Sequence, residues 1–178
     1  MRMQALRVFL LVTFSSATHF FWAQPGRCPK LPERYKWETA REYKRDEELV
    51  LKTLQWLTTT PINSEIASRG KANLFVMEWI CGSPRIEIEI DSDMLSFYIN
   101  YPDLLFPYIH GIAQCKLSKN SACNELEAMV SGFECVAFMI RTDEQMKKVK
   151  DLQPIVKAHK KNKMDLYVEA IMKNKTEK

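Results

Sequence analysis

The chain has 178 residues with 26 basic and 22 acidic side chains, a formal net charge of +4. This excess is too small to indicate nucleic-acid binding, which requires a concentrated basic surface. The sequence also lacks a phosphate-binding glycine loop, an HExxH motif and cysteines at CxxC spacing. We therefore predict neither a cofactor nor a metal site.

Residues 1–23 have the layout of a secretory signal peptide. Two arginines precede an apolar core, and small residues follow, with cleavage after Ala23 or after Ala17. A membrane anchor requires about 20 predominantly apolar residues, whereas polar side chains interrupt this stretch from Thr13 onward. We expect export to the periplasm or the medium, no transmembrane span, and a mature chain of about 155 residues, the size of one domain.

Residues 24–37 contain three prolines and a glycine in their first nine positions, which predicts an extended linker. Residues 38–178 are expected to form a single helical domain. Its first helix begins at Thr39, because Thr39 and Glu42 have the spacing of a capping box, and it extends to about Leu57.

The second predicted helix is capped by Asn63 or Ser64 and extends to Cys81. We expect Gly82 to end it in the left-handed conformation. Gly70 inside the helix costs about 1 kcal/mol relative to alanine, so close packing of another helix is expected there. The predicted inward stripe consists of Ile66, Gly70, Asn73, Leu74, Met77 and Ile80.

Residues 85–91 alternate between isoleucine and charged side chains, which is the period of a half-buried strand. A single strand in a helical domain leaves both of its hydrogen-bonding edges unpaired. We expect it either to lie as an extended segment on the helices, with its isoleucines buried, or to pair with the same segment of a second copy.

Further helices are predicted along the rest of the chain. Pro107 lies inside the predicted helix 102–117 and should kink it or shift its start. The most apolar helix, 121–141, is expected to be central, with Gly132 approached closely by a neighbour such as the helix that carries Gly70. About six helices and one short extended segment define an all-α fold, a single compact bundle.

The acidic side chains of the predicted strand and one histidine are the candidate catalytic residues. Glu87 and Glu89 project to the same side, roughly 6.6 to 7 Å apart, within the carboxylate separations that glycoside hydrolases use. His110 is a further candidate, although a lone histidine is more often a hydrogen-bonded core residue. The simpler interpretation of the glutamates is a solvated strand face, and His159, in a lysine-rich turn, is interpreted as solvated.

An aromatic segment interrupted by two prolines is the best candidate for a binding surface. Half-exposed tyrosines suit contacts with a protein, a glycan or a lipid, and packing in the core is the alternative. The segment contains Phe97, Tyr98, Tyr101, Phe106 and Tyr108.

The five cysteines are an odd number, so at least one is free or paired between chains. In an oxidising compartment Cys115 and Cys123 are spaced to close a short loop, a bridge that stabilises by about 2–4 kcal/mol. Cys81 and Cys135 are interpreted as small core residues. We expect a monomer or a weak homodimer.

The charged residues are unevenly distributed along the chain. Residues 61–140 carry 5 basic and 10 acidic side chains, whereas residues 141–178 carry 11 basic and 6 acidic ones. One explanation is a basic tail folded against an acidic middle. The other is a weakly basic outer surface that binds anionic lipid or glycan.

Four motifs mark the helices and turns: KWE at 36–38, WLTTTPIN at 56–63, WICGSP at 79–84 followed by IEIEI, and EAMVSGFECV at 127–136. Together they resemble an uncharacterised family of small exported helical bacterial proteins with no assigned active site. The resemblance covers most of residues 30–173 and implies export and a helical fold, with no catalytic residue to transfer.

From the sequence we expect an exported, non-enzymatic binding or scaffold protein of the cell envelope or the extracellular space. The alternative is a hydrolase that acts on envelope or glycan material through Glu87, Glu89 or His110.

Overall fold

The computed structural model describes residues 26–90, 96–119 and 122–176. The predicted signal peptide and Asp91, the last residue of the predicted strand, lie outside this part of the chain. The described residues form seven α-helices and no β-strand, which confirms the predicted all-α bundle. The helices are α1 (Ala40–Thr59), α2 (Ile66–Gly82), α3 (Ser96–Asn100), α4 (Leu105–Lys119), α5 (Glu125–Thr142), α6 (Gln153–Lys160) and α7 (Met164–Thr176), with 3-10 turns at Pro102–Leu104, Met146–Lys148 and Lys150–Leu152.

Helix α1 begins as its sequence predicts. Thr39 is the N-cap, its hydroxyl accepts from the backbone N–H of Glu42, and the Glu42 carboxylate accepts from the Thr39 N–H at 2.8 Å. From residue 26 onward the predicted linker before it has no regular structure but does not extend freely into solvent. Trp37 donates from Nε1 to Asp46 at 2.8 Å, and Tyr35 packs edge-on against Phe75 at 5.0 Å.

Helix α2 buries a different face from the predicted one, although Ile80 of the predicted stripe is buried and Met77 is half-buried. Ile66 and Leu74 are 74% and 57% exposed, and a Cβ added to Gly70 would meet nothing within 4 Å. The inward face presents larger aromatic rings, and these remove more apolar surface from water than the predicted stripe. The buried residues are Arg69, Ala72, Phe75, Val76, Trp79 and Ile80.

The ends of α2 also differ from the prediction. Neither Asn63 nor Ser64 caps it, because the chain enters through Glu65 in a left-handed conformation with φ 47° and no side-chain cap. Gly82 is the last helical residue and does not have a positive φ. An added Cβ there would lie 1.9 Å from the Tyr43 hydroxyl oxygen, so a larger residue would require the tyrosine side chain to move.

The predicted strand is an extended segment that lies on the helices. Ile86 and Ile88 are half-buried against the core, whereas Ile90 is exposed. The Lys116 ammonium donates to the Glu87 carbonyl and ties this segment to α4. The first of the two predicted arrangements is therefore the one observed within residues 85–90.

Helices α4 and α5 form the centre of the bundle. Pro107 does not kink α4, because the helix begins at Leu105 and the proline falls in the first turn, where no backbone donor is required. One face of α4 packs on α1 and α2, and the other packs on α5. The close neighbour predicted for Gly132 is therefore α4, with Gly111, and not the helix that carries Gly70.

The end of α5 and its connection to α6 are held by one buried carboxylate. Asp143 accepts at Oδ1 from the backbone N–H groups of Gln145 at 2.8 Å and Met146 at 2.7 Å. The Asn63 amide donates to its other oxygen. These hydrogen bonds lower the pKa of Asp143 and direct the chain toward α6 and α7, which pack on α5.

No helix among the described residues has both the length and the apolar run that crossing a bilayer requires.

Candidate functional site

The structure does not bring the predicted catalytic residues together. Glu87 and Glu89 are exposed on the extended segment, whereas His110 is 1% exposed inside α4. The alternative interpretation of His110, a hydrogen-bonded core residue, is right about the core but wrong about the hydrogen bond. Neither ring nitrogen has a hydrogen-bond partner. The glutamates have the position expected of a solvated face.

The environment of His110 suppresses its charge. Its ring stacks on Phe106 with 6.2 Å between centroids. Burial lowers the pKa of His110 to about 3, and the positive charge of Arg69 lowers it further in the same direction. A neutral imidazole without access to solvent or to a carboxylate partner is poorly placed for acid–base catalysis.

Replacing His110 with leucine is expected to stabilise the protein and to reduce its acid sensitivity. Because the folded pKa lies below the unfolded one, the unfolded state binds an extra proton between about pH 6.5 and pH 3. The free energy of unfolding therefore falls, as the pH is lowered through that window, by about 1.4 kcal/mol per pH unit, and this loss is absent above the window. His110→Leu should remove this slope and raise the free energy of unfolding at pH 7 by about 1–2 kcal/mol.

Urea denaturation of both proteins at pH 7, 6, 5 and 4 measures this effect. Asp143 contributes an acid-sensitive slope of its own, but it is common to both proteins and cancels in the difference. If the free energies of unfolding of the two proteins changed equally with pH, His110 would bind protons equally well in the folded and unfolded states. That result would contradict the prediction.

The predicted aromatic surface is largely core. Tyr98 and Tyr101 are half-buried against the core cluster to which α4 and α5 contribute. Tyr108 is 3% exposed and meets Phe133 edge-on at 5.2 Å, so its prediction as a surface contact is wrong. The side chain of Phe97 lies outside the described part of the chain.

The cysteines fall into three environments. Cys115 and Cys123 are bonded to each other and join α4 to the turn before α5. Cys135 is buried, which raises the pKa of its thiol to about 12, whereas Cys81 is exposed and its prediction as a core residue is wrong. Among the described residues, the two bonded sulfurs and a Glu127 carboxylate oxygen lie within 4.8 Å of one another. Sulfurs bonded to each other do not provide thiolate ligands.

A groove of about 440 Å³ lies where α5 and α6 end and the chain turns into α7. This volume is within the range of roughly 300–1,000 Å³ that small-ligand sites have. Asn162 has φ 51°, a left-handed conformation that asparagine tolerates and that reverses the chain between the two helices. The groove is lined by Phe138, Arg141, Thr142, His159 and Asn162.

A line of three side chains crosses one wall of the groove. The Arg141 guanidinium contacts His159 Nε2 at 2.6 Å, and His159 Nδ1 contacts the Glu134 carboxylate. Because arginine only donates, Nε2 must accept, and Nδ1 then carries the proton and donates to Glu134. One guanidinium nitrogen of Arg141 makes this contact, and its remaining N–H groups leave the arginine able to bind a ligand.

The turn that contributes Asn162 to the groove carries exposed lysines. Lys160, Lys161 and Lys163 flank Asn162 on the α6–α7 turn and are exposed. They and three further lysines, Lys148, Lys150 and Lys157, form no salt bridge with another described residue. The basic segment is therefore not paired extensively with the acidic middle of the chain; the Glu134–His159 contact links the two.

Sequence reasoning missed this groove. His159 was expected to be solvated, but its side chain is only 12% exposed and contacts a residue 25 positions earlier. The available signal was the excess of 11 basic over 6 acidic residues after position 140, which indicated the right region without selecting a residue.

The fold and the groove define an all-α protein with a basic, concave surface site. In comparisons with known proteins, no family model, no curated protein and no solved structure matches this chain. Its function is therefore inferred from the geometry of its own residues.

Proposed function

We propose that this chain is an exported, non-enzymatic binding protein of the cell envelope or the extracellular space, and that its ligand is an acidic glycan. The observation that carries the proposal is the groove lined by Arg141 and Asn162. Three exposed lysines that flank Asn162 in the sequence form no salt bridge with another described residue: Lys160, Lys161 and Lys163. A guanidinium binds a carboxylate through two parallel hydrogen bonds, and Arg141 forms no salt bridge with another described residue. The signal-peptide pattern and the family resemblance support export.

The shape of the groove favours a sugar over a membrane surface. Phe138 provides an aromatic wall, and Asn162 provides an amide that can both donate and accept. Saccharide binding uses this combination, because one ring face is apolar while its edge carries hydroxyls. A lipid surface would instead be met by a convex basic face, and the concave groove would remain outside the contact.

Calorimetric titration with an oligogalacturonide, and with a neutral oligosaccharide of the same length, tests this function. The chain should be purified from the medium or the periplasm, where mass spectrometry also locates cleavage after Ala17 or Ala23. The acidic ligand should bind and the neutral one should not. Arg141→Gln should weaken binding about 10- to 100-fold, the range of one charge-assisted pair.

Arg41→Gln is the matched control, because Arg41 is exposed on α1 and does not line the groove. Equal loss of affinity in the two variants would indicate attraction to net charge alone. Binding to vesicles of anionic lipid in preference to the oligogalacturonide would contradict the glycan assignment, and retention of the protein inside the cell would contradict export.

A further inference from the structure

Helix α2 has a second apolar face, which is exposed except at Met77, a residue half-buried against the protein's own core. Its residues follow the alternating three- and four-residue spacing of the a and d positions in a heptad repeat. Leu74 lies in the middle of this face and is 57% exposed. The face consists of Ala67, Gly70, Leu74, Met77 and Cys81, and we call it the α2 seam.

The charges beside the α2 seam are complementary to a second copy of themselves. Lys71 and Glu78 occupy the equivalent flanking position in successive heptads, and both are exposed. When two such helices pair antiparallel, this flank meets the same flank of the other helix, so Lys71 faces Glu78 of the second copy. Parallel pairing would place this flank against Ile66, Asn73 and Ile80, which carry no charge.

The side-chain sizes agree with the same pairing. A two-fold axis at Leu74 places Leu74 against its own copy and Gly70 against Met77 of the second copy. A Cβ at Gly70 would meet nothing within 4 Å, so the space needed for the methionine is open. A symmetric dimer requires a self-complementary surface of this kind.

We propose that a second copy of this chain docks on the α2 seam, antiparallel, about a two-fold axis at Leu74. A single pair of 17-residue helices is at the small end of specific interfaces, so the association is weak and reversible. No residue of the α2 seam lines the α5–α6 groove, and the pairing does not depend on the proposed glycan ligand.

Disulfide trapping tests the pairing and its direction. In a Cys81→Ser background, Leu74→Cys should form a covalent dimer under mild oxidation, because the axis brings the two substituted positions together. Leu166→Cys in the same background is the matched control, since Leu166 is 53% exposed on α7 and away from the seam. With Cys81 retained, Ala67→Cys should also cross-link, whereas it should not when Cys81 is replaced.

Sedimentation of the uncross-linked protein provides a second measurement. Lys71→Glu should weaken the dimer about tenfold, because two attractive contacts become repulsive, and adding Glu78→Lys should restore it. Circular dichroism checks that the variants fold, which matters because Glu78 contacts Tyr35. A wild-type monomer at millimolar concentration, equal trapping of Leu74→Cys and Leu166→Cys, or trapping of wild-type Cys81 to its own copy would overturn the proposal.

Discussion

Replacing Gly111 with alanine is expected to destabilise the fold by about 3 kcal/mol, the upper part of the range for inserting a methyl group into a packed core. A Cβ at Gly111 would lie 2.3 Å from the Ser131 carbonyl oxygen and 2.7 Å from the Gly132 Cα. Both are backbone atoms of α5, so relief requires moving one helix away from the other. That shift would also weaken the 2.8 Å hydrogen bond from the Ser131 hydroxyl to the Gly111 carbonyl.

Gly70→Ala is the matched control for this prediction. Both glycines lie inside helices, but an added Cβ at Gly70 meets nothing, so alanine should stabilise there by up to about 1 kcal/mol through helix propensity alone. Urea denaturation at a concentration where the chain is monomeric measures both variants. Stabilisation by Gly111→Ala would mean that α4 and α5 do not cross at this point.

Elements specified by neighbouring residues could be predicted from the sequence. The first helix begins at the predicted N-cap because Thr39 and Glu42 satisfy each other's backbone groups within four residues. Pro107 marks the start of α4 because its missing donor is tolerated only in the first turn. These signals are complete within one turn of the helix that they define.

The inward face of α2 could not be chosen in this way. The helix has two apolar faces, and periodicity alone does not decide which one meets the rest of the protein. The choice depends on Phe75 and Trp79 fitting between α1 and the segment before it, where Trp79 donates to the Tyr43 carbonyl at 3.1 Å. That hydrogen bond joins residues 36 positions apart.

The candidate site depends on similarly distant contacts. Glu134 and His159 meet only because α6 packs on α5. Neither their residue types nor their spacing in the sequence predicts this contact. His110 looked available for catalysis because its neighbours in sequence are compatible with partial exposure. Its burial follows from the position of α4 between two core clusters, which is a property of the assembled bundle.

Arg69 is the clearest case of a residue whose role depends on the assembled bundle. Its guanidinium donates to the carbonyls of Leu57 and Pro61 at 3.3 and 3.2 Å, and also to that of Thr60. These carbonyls lie at the end of α1, where the backbone carbonyls have no N–H partner within the helix. The guanidinium also lies 5.6 Å from the centre of the Trp56 ring. Although burial lowers the pKa of Arg69, the cation is stabilised by these oxygens and by the negative end of the helix dipole.

Replacing Arg69 with methionine is therefore expected to lower the free energy of unfolding by about 3 kcal/mol or more, because buried carbonyls lose their donor at about 1–3 kcal/mol each. Methionine preserves much of the apolar stem, so the loss reports chiefly the hydrogen bonds. Arg69→Lys keeps a charge but not the planar fork that reaches several carbonyls, and it should cost about half as much. Lys52→Met, on the exposed face of α1, should stay within about 0.5 kcal/mol of the wild type.

Denaturation by urea gives these free energies, and amide hydrogen exchange should show the largest loss of protection in the last turn of α1. If Arg69→Met were as stable as the wild type, the carbonyls at the end of α1 would have to be satisfied by water. The turn that joins α1 to α2 would then be solvated and not sealed by the arginine.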